Sequence, residues 1–173
     1  MSHEVERYWT TRVGYEAVII IVKRQDGSKS HRCGYVGIPP EHPLFGIDYA
    51  QQAPSITQAV VDAVPLGKKS PILAFTAMVD SDDGESVRRS PDILFDVHGG
   101  LTYAGGHQAK YPVETDARWW YGFDANHSGD GYIDQPDWGL NLGEPKSHDY
   151  MAYECESLAK QLADFTQTQE KAA

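Results

Sequence analysis

The run AVIIIV at residues 17–22 constrains this chain more than any other feature. Five of its six residues are β-branched, the side chains that suit a pleated backbone and lose most freedom in a helix. Apolar character is continuous rather than alternating, which reads as a strand buried inside a sheet. Six apolar residues are far too few to cross a bilayer. QDGSKSH follows as an Asp-Gly turn, and CGYVGIP (33–39) reads as a second strand, so 15–39 forms a hairpin.

Other segments fill out an α+β domain with a mostly antiparallel sheet, packed by a short helix and a long C-terminal amphipathic helix. Three prolines between 39 and 43 make 39–46 a rigid loop. Ser55 and Gln58 form a capping-box pattern ahead of a short helix that Pro65 and Gly67 end. PILAFTAMV (71–79) leans to strand, and DSDDGES (80–86) is an acidic loop. DILFDV (92–97), LTYAG (101–105) and ARWWYGF (117–123) read as strands, and 136–147 as loop. From Asp149 to about Thr166, Met151, Cys155, Leu158, Leu162 and Phe165 recur at intervals of four, three, four and three. That spacing forms one apolar stripe on a helix. The 173 residues read as a single domain, with an ordered core over about 13–166 and a tail, 167–173, that frays.

The formal charge is -10, from 25 acids against 15 bases. This disfavours binding to a nucleic-acid backbone, which needs clustered cations. It leaves room for a basic protein partner. MSHEVERYWTTR has no apolar leader core, and the two cysteines, Cys33 and Cys155, are far apart, so a cytoplasmic protein with reduced thiols is expected. Oligomeric state is left open.

Chemistry concentrates in DVHGGLTY (96–103) and FDANHSGD (123–130). The longer DANHSGDGYID places Asn126, Ser128, Asp130, Gly131, Asp134 and Asp137 at calcium-loop positions. A neutral first position, an Asp in the last and strand-like flanks count against that reading. A transition-metal reading takes Asp124, His127 and Asp130 with His98 or His42, though no HxxxH spacing supports it; no metal is favoured and the cofactor is unknown. A catalytic reading makes His98, His127 and Asp124 the acid–base group, with Asp96 and Asp130 orienting imidazoles. Gly99 and Gly100 would offer amides to an anion. Thr102 would bind substrate, His42 would close the pocket from the proline-rich loop, and Trp120 and Ala125 would line it. If the two turns end neighbouring strands, His98 and His127 meet. Trp119 and Trp120 divide between a core and a semi-exposed position. Cys155 belongs to the helix stripe, Cys33 is a weak nucleophile candidate, and Arg88-Arg89 a weak anion grip.

CGYVGIPPEHPLFG (33–46), DVHGGLTYAG (96–105), WWYGFDANHSGD (119–130) and ECESLAKQLADF (154–165) occur in this order. Together they resemble a family of small bacteriophage and prophage proteins without an assigned reaction. The resemblance covers roughly residues 30–165 and implies a role in the host cytoplasm during infection. It gives the third motif the form GFDCxHxGD, and Ala125 stands here at the cysteine. The functional expectation is a polar His/Asp pocket for a small polar ligand, working as a hydrolase or transferase on a nucleotide-like substrate. The alternative is a non-enzymatic phage effector that blocks a host defence protein or sequesters its signalling nucleotide.

Overall fold

Backbone pairing builds one five-stranded antiparallel sheet in the order β1-β2-β3-β5-β4. Its strands are β1 (Ser2–Thr10), β2 (Glu16–Lys23), β3 (Lys29–Ile38), β4 (Tyr103–Gly106) and β5 (Trp119–Asp124). Among the described residues two helices have defined bounds: α1 (Pro91–Leu94), a single turn, and α2 (His148–Ala172). The structure is a computed structural model that describes residues 2–57, 60, 89–106, 112–113, 118–134 and 143–172. The α+β architecture is the one read from sequence. Among the described residues no helix is long and apolar enough to cross a membrane.

β2 is interior to the sheet, and its apolar run explains itself there. Ala17 and Ile19 join the main core, while Val18 and Ile20 point to the opposite face and pack with Cys33, Tyr35 and Trp120. Each strand feeds both faces in the two-residue period of pleated backbone. In β5 and just beyond it, Tyr121, Phe123 and Ala125 enter the main core. Trp120 lies in the second cluster and Asp124 opens toward the same side. The stripe of α2 is fully buried against the first face: Met151, Cys155, Leu158 and Leu162 have no exposed surface. Gly34 is required where α2 crosses β3, because a Cβ there would sit 2.8 Å from Cys155 Sγ.

Three expectations change. β1 begins at Ser2, ahead of the expected core, and carries no apolar pattern because it is the sheet's edge. Its side chains are held by ions instead: Glu6 receives both Arg32 nitrogens at 2.7 and 2.8 Å, and Glu4 pairs with Lys23. DILFDV is not a strand. Pro91 starts a helical turn, its fixed φ suiting that position, and the chain then leaves it in extended backbone, without a sheet partner among the described residues. Finally, α2 continues to Ala172, through the expected tail. The readings over 58–59, 61–88 and 136–142, including most of the short capped helix, the 71–79 strand and Arg88, lie outside the described residues.

Candidate functional site

β4 and β5 are antiparallel neighbours, with Tyr103 opposite Gly122 and the Thr102 amide donating to Gly122 O at 2.9 Å. The turn before β4 and the turn after β5 therefore open at the same end of the sheet. Helix α2 starts at that end and pins the first turn from its side chains. Glu154 accepts the His98 amide at 2.8 Å. Two helical turns later, Gln161 clamps Asp96 by both backbone groups, at 2.8 Å each. The second turn is tied to β3 by the Ala125 amide, which donates to Arg32 O.

The two turns bring His98 and His127 together, with ring centroids 5.5 Å apart and planes at 75°. Gly99 makes this approach possible. Its φ is +70°, and a Cβ at this position would lie 2.1 Å from His127 Cε1. The His127 ring thus occupies the space that any side chain would take.

Asp130 is the hub. Its side chain is only 5% exposed and receives three donors. His98 Nε2 lies 2.9 Å from Oδ2, the His127 amide donates to Oδ2 at 2.9 Å, and Lys146 Nζ sits 3.1 Å from Oδ1. Burial alone would raise this carboxyl, but the bonds from His98, the His127 amide and Lys146 outweigh it and hold the group at about 2. An ionised Asp130 makes His98 Nε2 the donor. In the neutral ring Nδ1 is then an acceptor, and it faces the Tyr150 hydroxyl at 3.2 Å. Burial, followed by the charges of Glu154, Asp130 and Asp96, pushes the Tyr150 phenol up. Burial also raises Glu154, against the His98 amide and side chain.

Asp124 borders the group without closing it. Its Oδ1 takes the Asn126 amide at 3.0 Å and its Oδ2 takes the Thr102 hydroxyl at 2.8 Å. His127 Nδ1 is 3.9 Å from Asp124 Oδ1 and 3.6 Å from Asp130 Oδ2. Both distances exceed a hydrogen bond, and this buried nitrogen has no hydrogen-bond partner among the described residues. On the outer side of Asp124 a cavity of about 390 Å³ is lined by His31, Tyr103, Thr102 and Asn126. Burial lowers the His31 pKa, with His127 adding to that effect and Asp124 and Asp130 opposing it.

Several residues expected in the pocket lie elsewhere. His42 is buried in the main core, between the rings of Tyr15 and Phe165; its Nδ1 accepts the Leu44 amide and its Nε2 donates to Leu162 O. Trp120 has no exposed surface and is packed within the second cluster beneath the face that Asp124 opens to, so it presents nothing to a ligand, whereas Trp119 is half-buried and donates to Ile47 O. Ala125 is 2% exposed and belongs to the main core. Asp96 is exposed, and among the described residues no hydrogen bond or ion pair joins its carboxylate to either imidazole; Asp130 orients His98 instead. The Gly100 amide closes the turn onto Val97 O, so the pair of anion-binding amides is not formed. Burial pushes the Cys33 thiol up to about 12, against a nucleophilic role. The calcium-loop reading also falls: Asp134 takes the Lys29 amide while Asp130 faces His98 and Lys146, so these carboxylates do not converge.

Sequence reading missed Tyr150, Lys146, Glu154 and His31. Three of them lie on or just before α2, whose polar face has no motif to mark it. Comparison with family models, with curated proteins and with solved structures returned no match.

Proposed function

We propose that this end of the sheet binds a small polar ligand and carries out hydrolysis or group transfer on it. The carrying observation is the chain Asp130–His98–Tyr150, in which each imidazole nitrogen has one oxygen partner, at 2.9 and 3.2 Å. The arrangement follows the logic of acid–base triads: a carboxylate fixes the tautomer and stabilises the imidazolium, and the free nitrogen exchanges a proton with a hydroxyl. Here that hydroxyl belongs to Tyr150, which is 37% exposed. Tyr150 takes a proton from the attacking water or hydroxyl as its own passes to His98 Nδ1, and the proton then returns through Tyr150 to the leaving group, while Asp130 stays ionised. Thr102, exposed beside Asp124, offers the ligand a hydroxyl contact.

A nucleotide-like substrate is the class that the resemblance to phage proteins favours. The cavity beside Asp124 supports it, with a volume in the range of small-ligand pockets and a lining that combines imidazole, phenol, hydroxyl, amide and carboxylate groups with the apolar Val22 and Cys33. The test is calorimetric titration of nucleotides and cyclic or modified dinucleotides into the protein and into a His98→Ala/His127→Ala variant. Binding that disappears in a folded variant supports the site. Equal binding by both proteins sinks it and favours the effector reading, in which the acidic surface takes a host protein.

A further inference from the structure

Among the described residues, no hydrogen bond reaches the buried His127 Nδ1. A buried imidazole nitrogen without a partner forfeits the interaction that its desolvation demands. Yet it is aimed at oxygens: Asp130 Oδ2 at 3.6 Å and Asp124 Oδ1 at 3.9 Å. These separations are too long for hydrogen bonds. They are close to those of two donors on a common ion, which stand roughly 3.0–3.5 Å apart when each ion–ligand bond is about 2.0–2.2 Å. His98, His127 and Asp130 each present one such atom, and the three atoms lie within 4.8 Å of one another.

From this geometry we infer that His98, His127 and Asp130 bind one divalent transition-metal ion, with Asp124 at its border. Two imidazoles and one carboxylate form a donor set suited to zinc, iron(II) or manganese(II). The oxygens of Asp130 are already divided for this task. Lys146 takes Oδ1, and Oδ2 is left facing both rings. The ion would replace the proton between His98 Nε2 and Asp130 Oδ2. His98 Nδ1 would then carry the remaining ring proton and donate it to the Tyr150 hydroxyl, the outer contact that metal-bound imidazoles usually make. Glu154 and Gln161 support the site from behind by fixing the backbone of the His98 turn. Gly99 supports it by leaving room for the His127 ring.

Three protein ligands leave positions for water or for an oxygen of the ligand, so the ion would act as a Lewis acid on the same ligand in place of the His98 relay, because a metal-bound His98 keeps its proton on Nδ1 and takes none from Tyr150. The inference deepens that reading and rests on it for its purpose, though metal binding can be measured alone. The experiment is titration of cobalt(II) into chelator-stripped protein, followed by its visible ligand-field absorption and by calorimetry. One equivalent is expected to bind. Affinity should fall more than about 100-fold in His127→Ala and in Asp130→Asn, fall by about 10–100-fold in Tyr150→Phe, which removes the outer contact to His98, and stay within a few-fold of the parent in His42→Phe. His127→Gln, judged folded by circular dichroism, serves where the alanine variant does not fold. Absence of stoichiometric binding overturns the inference, and so does cobalt binding that survives loss of His127 in a folded variant. The nucleotide titration is repeated on the stripped protein. Nucleotide binding without cobalt binding removes the ion and leaves the pocket; cobalt binding without nucleotide binding does the reverse.

Discussion

His42 and His98 both come from polar, turn-rich segments, and the fold uses them in opposite ways. His42 is 4% exposed, its two nitrogens are committed to the backbone of Leu44 and Leu162, and its neighbours are aromatic rings. It is a packing residue with two hydrogen bonds. His98 faces a carboxylate, a phenol and a second imidazole, with Lys146 on the far oxygen of the carboxylate. The difference teaches that a histidine's neighbours decide its role. Backbone partners fix one tautomer permanently, whereas titratable side-chain partners allow protons or a cation to be exchanged.

Substitution should separate the two residues most strongly. Replacing His42 with alanine leaves a cavity among Leu44, Leu162 and Phe165 and two unpaired backbone groups. The expected loss is roughly 3 kcal/mol in urea unfolding, with ligand and cobalt binding unchanged in the folded fraction. His98→Ala should invert the pattern, losing binding and little stability. A His42→Ala protein that folds normally but cannot bind would dissolve the contrast.

Acid sharpens it. Burial holds His42 down at about 4, against the bond to Leu162 O, which favours the cation. The unfolded residue titrates near the ordinary imidazole value of 6.5. Between these values the unfolded chain binds more protons, so stability is full above about 6.5 and declines as pH falls toward 4. The loss should approach about 2–3 kcal/mol at pH 4.5. Urea midpoints at pH 7.5 and 4.5 would show it, and a His42→Leu protein should lose most of the slope. An unchanged slope would mean that other groups govern acid unfolding.

On the other side of the comparison, Gly99→Ala strikes the contact that defines the pocket. The residue would be held at φ +70° with its Cβ inside the His127 ring. Stability should fall by about 1–3 kcal/mol as strain, and the displaced ring should cost nearly all cobalt binding. Gly100→Ala is the control. Its φ is also positive, at +88°, but nothing lies within 4 Å of a Cβ there. It should show backbone strain alone and retain the ion.

Much of the frame was legible in the chain because periodicity reports burial. The run at 17–22 and the stripe from Met151 to Phe165 each read as core, and each is core. The meeting of His98 and His127 was legible too, since it follows once the flanking strands are neighbours. What escaped has a common cause. β1 is an edge held by ion pairs, so it carries no apolar period. DILFDV has strand composition, but Pro91 and the clamp from Gln161 decide its path. Tyr150, Lys146 and Glu154 reach the site only through the docking of α2, a long-range contact that spacing along the chain does not encode.

The last prediction concerns the position where the resemblance places a cysteine. Asp124 and Ala125 are adjacent, and the pleat sends them to opposite sides: Asp124 borders the cavity and Ala125 enters the main core at 2% exposure. A thiol at 125 would share the surroundings of Cys155, whose burial raises its pKa strongly. Ala125→Cys should therefore gain no reactivity toward an alkylating probe while folded, as read by intact mass. The added sulfur should change stability by no more than about 1 kcal/mol, because it enters a packed wall. Fast labelling at 125 would show that the turn opens and that the core does not hold it as tightly as it holds His42. Slow labelling would mean that a cysteine here serves packing, and that the chemistry of the turn belongs to His98, His127 and Asp130 whether or not the thiol is present.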